Sequence, residues 1–425
     1  MSHPEDTHEL ADHLFRREAG RMVAALTRLF GARHVDLAED IVQETLLKAM
    51  QEWPFRGVPD EPAAWLHRVA RNLAIDRLRR EARGLELLRE NAALLRSEWT
   101  LSSTVHEAMS APTIADDQLR MMFACCHPAM PREQQVALAL KTLCGFSVPE
   151  IARAFVTNEE TINKRLYRAR ETFRALGRID MPSIDEVGQR LEHVLATIYL
   201  LFNEGYNSTS HDDLIREDLI EEALRLIDLL TRNSITDVAE VHALMALMLY
   251  HAARSGSRLD VDGAIVLLKD QDRSKWDAEL IALADQHMDR AVLERGMSIY
   301  HIEAAIAAMH AHAPTFAATN WVSIVALYDE LLRQNPSRVV AFNRAIALAQ
   351  AEGPAAGLTE LGLVEDMQGS HLYHAARGDL LRDLTRYDEA RAAYVTAMSL
   401  ARSAAEVALL QKKQESLPAN VVEAR

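Results

Sequence analysis

Glycine and proline are scarce in this 425-residue sequence, at 16 and 13 positions. A chain so short of turn formers and breakers does not build an all-β sandwich or barrel. Cysteine is scarcer still: Cys125, Cys126 and Cys144 are too few to staple a chain of this length. The adjacent pair with His127 lacks zinc-ligand spacing and there is no C-x-x-C, so neither metal nor cofactor is expected, only buried thiols. Long apolar runs are missing too. The greasiest stretch, 302–327, is interrupted by Glu303, His310, His312 and Pro314, which rules it out as a membrane span. Met1 to Glu18 is acidic and His-rich with no apolar core, so no signal peptide is expected and the protein reads as cytoplasmic.

Basic charge is the last shortage. Lys and Arg total 47 against 62 Asp and Glu, a net −15 that on its face speaks against nucleic acid. Dividing the chain changes this. Residues 1–180 hold 25 basic and 26 acidic side chains, net −1, whereas 181–425 hold 22 and 36, net −14. At roughly 150 residues per domain the length predicts about two or three domains.

What is present is helical period in nearly every segment. From Leu37 to Trp53, Ala38, Val42, Leu46, Ala49 and Trp53 share one face, with Asp36 as N-cap and Glu39 three residues on. The cluster Trp53-Pro54-Phe55-Arg56-Gly57-Val58-Pro59 ends that helix, and another runs from near Pro62 to about Arg83. Residues 84–117 are less regular and read as a linker, followed by a compact helical unit from Gln118 to about Leu176. Beyond Met181-Pro182-Ser183 lie helix pairs. Gly378, Tyr387, Ala390, Tyr394 and Ala397 stand at the intervals of a 34-residue tetratricopeptide unit, in which small and aromatic residues let two antiparallel helices nest. Tyr328, Pro336, Phe342 and Ala345 fit the same register. An all-α chain with a C-terminal helical-repeat region is predicted.

Two windows break the acidic background. Residues 64–83 carry Arg68, Arg71, Arg77, Arg79, Arg80 and Arg83 against Asp76 and Glu81, a local +4. Residues 160–178 carry Lys164, Arg165, Arg168, Arg170, Arg174 and Arg178 against Glu160 and Glu171, again +4. Phosphate neutralisation needs only a local stripe of charge, because screening cuts the field within about 10 Å. A single stripe is equally a solvated helix face, but the second has a frame. Ser147 to Glu150 forms a capping box opening a short helix through Ile151, Ala152 and Phe155. A turn at Val156-Thr157-Asn158 follows, with Thr157 and Glu160 as a second box. A long helix then runs from Glu159 to about Leu176, with Ile162, Leu166 and Ala169 inward. Short helix, tight turn and long basic helix make a helix-turn-helix. Asn163, Lys164 and Arg168 form its outward strip: Asn suits adenine, Arg or Lys guanine, and the later arginines suit phosphate. On the Leu37–Trp53 helix, Asp40, Gln43 and Glu44 make an acidic patch that would repel DNA and better meets a basic protein. Trp65 is the one aromatic in 64–83, few for a stacking platform.

These residues carry a resemblance. DLAEDIVQET (36–45) with AWLHRVARNLAIDRLRR (64–80) resembles region 2 of a bacterial sigma factor, and EIARAF with TINKRLYRAR, within 150–170, resembles region 4. With no other sigma regions between them, the chain is identified as a member of the extracytoplasmic-function (ECF) group of the sigma-70 family. LRMMFACCHP (119–128) and LLFNEGY (200–206) resemble the subgroup with a C-terminal tetratricopeptide-like extension. The resemblance implies region 2 over 8–83, a linker over 84–117, region 4 over 118–178 and the extension over 185–415. It implies that Asp40, Gln43 and Glu44 face the β′ coiled coil of core RNA polymerase, with the β flap as a further contact, and that promoter DNA is the other partner. Arg68, Arg71, Asn72 and Arg79 would hold the −10 element, and Asn163, Lys164 and Arg168 would read the −35 element. Asn-Lys stands where relatives often carry Arg-Ser, so the −35 sequence does not follow from theirs.

The −14 half is expected to compete with DNA by charge and occlusion, to bind a peptide, protein or small-molecule regulator on a concave face, or to add a contact to polymerase. A truncation near Asp180 would separate those roles. Two rivals stand beside the sigma reading. A one-component helix-turn-helix regulator with a repeat sensor would leave 36–83 without a task. An enzyme built on Glu204, His193 and Tyr206 has no phosphate loop or ligand spacing, and no catalytic residue is expected.

Overall fold

The computed structural model describes residues 4–81, 111–155, 157–177, 184–206, 215–293, 296–364, 367–401 and 403–418. Among these are eighteen α-helices and no strand beyond one isolated bridge between Leu259 and Ile265. No helix in the described residues is long and apolar enough to cross a membrane. The chain divides into two compact units, one of residues 1–209 with 216–237 and one of 210–215 with 238–425.

The first unit holds nine helices: α1 (Pro4–Phe30), α2 (Val35–Arg56), α3 (Pro62–Glu81), α4 (Ala111–Cys125), α5 (Arg132–Thr142), α6 (Val148–Ala154), α7 (Glu159–Ala175), α8 (Ile184–Tyr206) and α9 (Glu217–Thr231). Residues 84–110 of the expected linker lie outside the described residues, and 111–117 open α4. The centre of the unit is α1, which packs against α2, α3 and α4. Phe15 of α1, Trp53 of α2 and Trp65 of α3 pack in series at ring separations of 5.3 and 5.5 Å, the first pair tilted and the second edge to face. Trp65 therefore serves the packing of the three helices, in keeping with the few aromatics offered for base stacking. Along α1, Gly20 meets the end of α5 so closely that a Cβ would stand 1.9 Å from the carbonyl oxygen of Leu143.

Helix α2 begins two residues before the expected start. A 3-10 turn over Ala32–His34 leads straight into it, so His34 is the N-cap position and Asp36 falls inside the first turn. Pro54 is accommodated in the last turn, carrying the helix on to Arg56. Helices α8 and α9 pack on each other and on α4, with α8 also on α5. Val194, Ile198 and Leu201 of α8 and Leu226 of α9 share an apolar interior with Met122, Cys126 and Cys144. All three cysteines are buried, and burial pushes the Cys126 thiol up to about 12, so they act as packing groups. Glu204 and Tyr206 are buried in the last turn of α8, where Tyr206 stacks on Phe202.

The second unit contains α10 (Ala239–Ala252), α11 (Ala278–Ala291), α12 (Ile299–His312), α13 (Trp321–Gln334), α14 (Arg338–Glu352), α15 (Pro354–Gly362), α16 (His371–Asp383), α17 (Tyr387–Leu400) and α18 (Ala404–Glu415). Each pairs with its neighbours in sequence. Helix α10 is apolar nearly all round and buried nearly all round, between α11 and α12. Gly353, at φ 102°, ends α14 where Pro354 starts α15, a junction that needs glycine's left-handed freedom. In the α16–α17 hairpin, Ala390, Tyr394 and Ala397 are buried against Leu381, and Gly378 lets the Tyr394 ring lie within 2.5 Å of where its Cβ would be. The Tyr394 hydroxyl donates to Asp379 at 2.7 Å. Ala345 of α14 is likewise buried, with Phe342 packed beside it.

Candidate polymerase and nucleic-acid interface

The outward residues of α7 follow from its inward ones. Ile162, Leu166, Ala169 and Phe173 are buried, against α5 and α6. The opposite face exposes Asn163, Lys164, Tyr167 and Arg168. Lys164 is held by Glu160 one turn back at 2.6 Å. Tyr167, 68% exposed, was missed in sequence; its position one turn beyond Asn163 and Lys164 is the signal that would have found it.

The short helix α6 opens with the expected box. The Ser147 N–H and hydroxyl both donate to Glu150 Oε2 at 2.7 Å, and the Glu150 N–H donates to the Ser147 hydroxyl at 3.3 Å. The second expected box does not form. Asn158, in extended conformation, is the N-cap of α7, its side chain accepting from the Thr161 N–H at 2.8 Å. The helix thus starts one residue later than a Thr157 cap requires, and Glu160 turns to Lys164 instead.

On α2 the exposed stripe runs Asp40, Gln43, Leu47 and Met50, with Glu44 half-buried beside it. Glu44 lies 3.6 Å from both Lys48 and Arg77. Leu47 and Met50 are 55% and 57% exposed and extend the polar patch with apolar surface, which a search for acidic residues passes over. On α3, Arg68 and Asn72 are exposed and Arg71 is half-buried; the backbone of Arg79 belongs to α3, and its side chain lies outside the described residues.

Two groups of charges tie these elements together. Arg16 of α1 donates to Glu150 at 3.1 and 3.2 Å, and Arg216, just before α9, donates to the same oxygen at 2.9 Å and to Asp218 at 2.9 Å. Burial alone would raise the Glu150 carboxyl, but Arg16, the two Ser147 donors and Arg216 outweigh it and hold the group at about 2. The second group joins α2 to α7. Arg170 donates to Glu39 at 2.6 Å, and Arg174 pairs with Asp36 as well as with Glu171. Alongside, the Ala32 N–H donates to the Gly177 carbonyl at 2.8 Å. Burial raises the Glu39 carboxyl despite its arginine.

A sigma-70 region 2 profile matches residues 14–84, a sigma-70 region 4 profile matches 120–173, and a family of unknown function (DUF6596) matches 190–292. An uncharacterized protein of Rhizobium meliloti (strain 1021) is 40% identical over 406 residues, 94% of this chain and 95% of its own length. The ECF RNA polymerase sigma factor SigL of Mycobacterium tuberculosis is 32% identical over 133 residues, 31% of this chain and 70% of that protein. The ECF RNA polymerase sigma factor SigE of Mycolicibacterium smegmatis is 29% identical over 168 residues, 38% of this chain and 60% of that protein. No solved structure matches the chain. With both sigma regions in order, and a SigL relative covered over most of its length, the chain belongs to the ECF RNA polymerase sigma factors of the sigma-70 family.

Proposed function

We propose that this protein binds core RNA polymerase and directs it to promoters, without catalysis of its own. The observation that carries the reading is the division of labour among exposed helix faces. Helix α7 presents Asn163, Lys164 and Arg168, α3 presents Arg68 and Asn72, and α2 presents an acidic strip continued by Leu47 and Met50. Asn163, Lys164 and Arg168 reach base edges of a −35 element, with Tyr167 as an apolar contact on the same face. Arg68, Arg71, Asn72 and Arg79 hold the opened −10 element. Asp40, Gln43 and Glu44 dock on the β′ coiled coil, where Leu47 and Met50 add buried apolar area, and the β flap receives region 4.

The C-terminal helices act as a tetratricopeptide-like module that takes a regulator. Support comes from the nested α16–α17 hairpin and from a cleft of about 640 Å³ in the second unit. Asp260, Asp262 and Asp270 line that cleft together with Lys269, Arg382, Lys412 and Lys413, a mixed lining suited to a zwitterionic or peptide ligand. Testing the module needs a cut after Asp237, because a cut near Asp180 also removes α8 and α9 from the first unit.

Multi-round transcription with core polymerase and genomic DNA, followed by start-site mapping, tests the reading. Discrete start sites that depend on the protein are expected; none would refute it. Asp40→Ala with Glu44→Ala is expected to abolish co-purification with core polymerase while leaving thermal unfolding unchanged. Retained association would contradict the docking assignment.

A further inference from the structure

We propose that the second unit holds a buried site for an oxyanion, the phosphate or carboxylate group of a small molecule, gripped by Arg273, Trp276 and His310. Binding there depends on no part of the sigma reading, and none of the three residues lines the cleft described above. The sequence DQDRSKWD (270–277) sets up the site, because its carboxylates are spent away from its arginine. Asp270 lines the cleft. Asp272 Oδ1 accepts from the Ser274 N–H at 3.0 Å and from the Ser274 hydroxyl at 2.6 Å, capping a 3-10 turn over Arg273–Lys275. Asp277 caps α11, accepting from the Glu279 and Leu280 N–H groups at 2.9 and 3.0 Å. Arg273 turns instead to the end of α12, where Nη1 donates to the carbonyls of His310 and Ala313 at 2.5 and 2.7 Å. That serves the helix end with one nitrogen only. Nη2 is buried without a partner, and the charge that bears on this guanidinium among the described residues is that of Arg254, of the same sign.

Other orphaned groups gather round that nitrogen. Arg273 touches both remaining residues: its Cζ lies 4.9 Å from the centre of the Trp276 ring, and the His310 carbonyl takes its Nη1. Trp276 is 7% exposed, yet its Nε1 has no partner, and neither has the buried Nδ1 of His310. Among the described residues, every buried side-chain nitrogen or oxygen of the second unit that lacks a partner falls between Ser257 and His310; Ser257 Oγ and Gln271 Oε1 are the others. Buried polar groups are satisfied almost everywhere in folded proteins, so five in one short stretch mark a place built for something else. Charge there is one-sided, in a half of the chain whose net is −14. Burial, Arg254 and Arg273 push His310 down to about 4, and burial, Arg254, Arg258 and His310 push His251 down to about 3. The His310 ring is therefore neutral at pH 7, with Nδ1 the donor in one of its two tautomers, and Trp321 holds it edge to face at 5.2 Å. A water accepts from two donors and carries no charge. An oxyanion accepts from all three and answers the charge of Arg273.

The full chain is titrated with inorganic phosphate and, in a parallel arm, with succinate, at constant ionic strength, while the indole N–H resonances are followed. A saturable shift of the Trp276 resonance is expected, identified by its loss in Trp276→Phe, with Trp53 and Trp65 of the first unit unmoved. A shift with phosphate alone assigns a phosphate group, with succinate alone a carboxylate, and with both an oxyanion of either kind. A shift with neither overturns the proposal. Trp276→Phe keeps the ring and removes one donor, so affinity measured by calorimetry should fall about 3–10-fold. Arg273→Lys keeps a cation for the α12 carbonyls but loses the fork, and should weaken binding about 10–100-fold. Unchanged affinity in Trp276→Phe overturns the site even if Arg273→Lys fails to fold. Lys412→Gln, which removes an exposed cation of the cleft, should bind the anion as the natural chain does. If Lys412→Gln loses the anion and Trp276→Phe keeps it, the anion sits in the cleft, and this site falls while the regulator reading stands.

Discussion

Glu150 offers the sharpest quantitative handle on how the first unit is held. Its carboxylate accepts from Arg16 of α1, from Ser147 at the mouth of α6 and from Arg216 ahead of α9, so three separate parts of the chain converge on one group. The fall from 4.5 to about 2 corresponds to about 3 kcal/mol at ~1.36 kcal/mol per unit. The pair is partly open to solvent, with side-chain exposures of 14% for Glu150 and 17% for Arg216, so screening lowers the expected value to about 1.5–2 kcal/mol. The sign is fixed by the direction. A carboxyl depressed in the folded state contributes fully above its unfolded value near 4.5, and that contribution is lost as pH falls toward 2. Glu150→Gln keeps the shape and removes the charge. At pH 7 the variant should therefore lose about 1.5–2 kcal/mol of protection against hydrogen exchange in the α6 and α7 amides. The gap between variant and natural chain should close between pH 4.5 and pH 2, whatever other groups titrate in that range, because only Glu150 differs. A gap below about 0.5 kcal/mol at pH 7, or one that persists at pH 2, would refute the coupling.

Two further substitutions probe packing and capping. Gly20→Ala places a methyl 1.9 Å from the Leu143 carbonyl oxygen, so α1 and the end of α5 must separate; a loss of about 1–3 kcal/mol is expected in thermal unfolding, and an unchanged midpoint would contradict the close approach. Asn158→Ala should cost about 1 kcal/mol in urea unfolding through loss of the α7 cap, whereas Thr157→Ala should stay within about 0.5 kcal/mol; the reverse order would return the cap to Thr157.

Periodicity carried the local structure well because helical spacing is itself local. The inward set Ile162, Leu166 and Ala169 could be read from intervals of four and three, and the structure buries all of them. The nested α16–α17 pair was legible for the same reason, since Gly378 and Tyr394 stand within one hairpin. Helices α8 and α9 show where that legibility stops. The apolar positions of α9, from Leu219 through Ala223, Leu226 and Leu230, announce a face to be covered but not what covers it. Their partners are each other, α4 and, for α8, α5, and in α4 Gln118 accepts from Arg225 across 107 residues of chain. Grouping α8 and α9 with the repeats followed from the Met181-Pro182-Ser183 boundary and the likeness of LLFNEGY to the extension-bearing subgroup. Their place in the first unit is a tertiary fact.

Charge is the case where sequence windows mislead most. Residues 160–178 count +4, and as a free helix they would present that much to DNA. In the folded chain Arg170 and Arg174 are matched by Glu39 and Asp36, and Lys164 is matched by Glu160. Asp36 had an ordinary local explanation as a helix cap and Glu39 as its companion, so nothing nearby in sequence announced a partner more than a hundred residues on. An acid in the first turn of a helix is explained equally well by the helix dipole, which removes any reason to look further. A window count is therefore an upper bound on the field a helix can offer a phosphate. The fraction delivered depends on which distant carboxylates fold onto it, and in this chain those are Asp36 and Glu39.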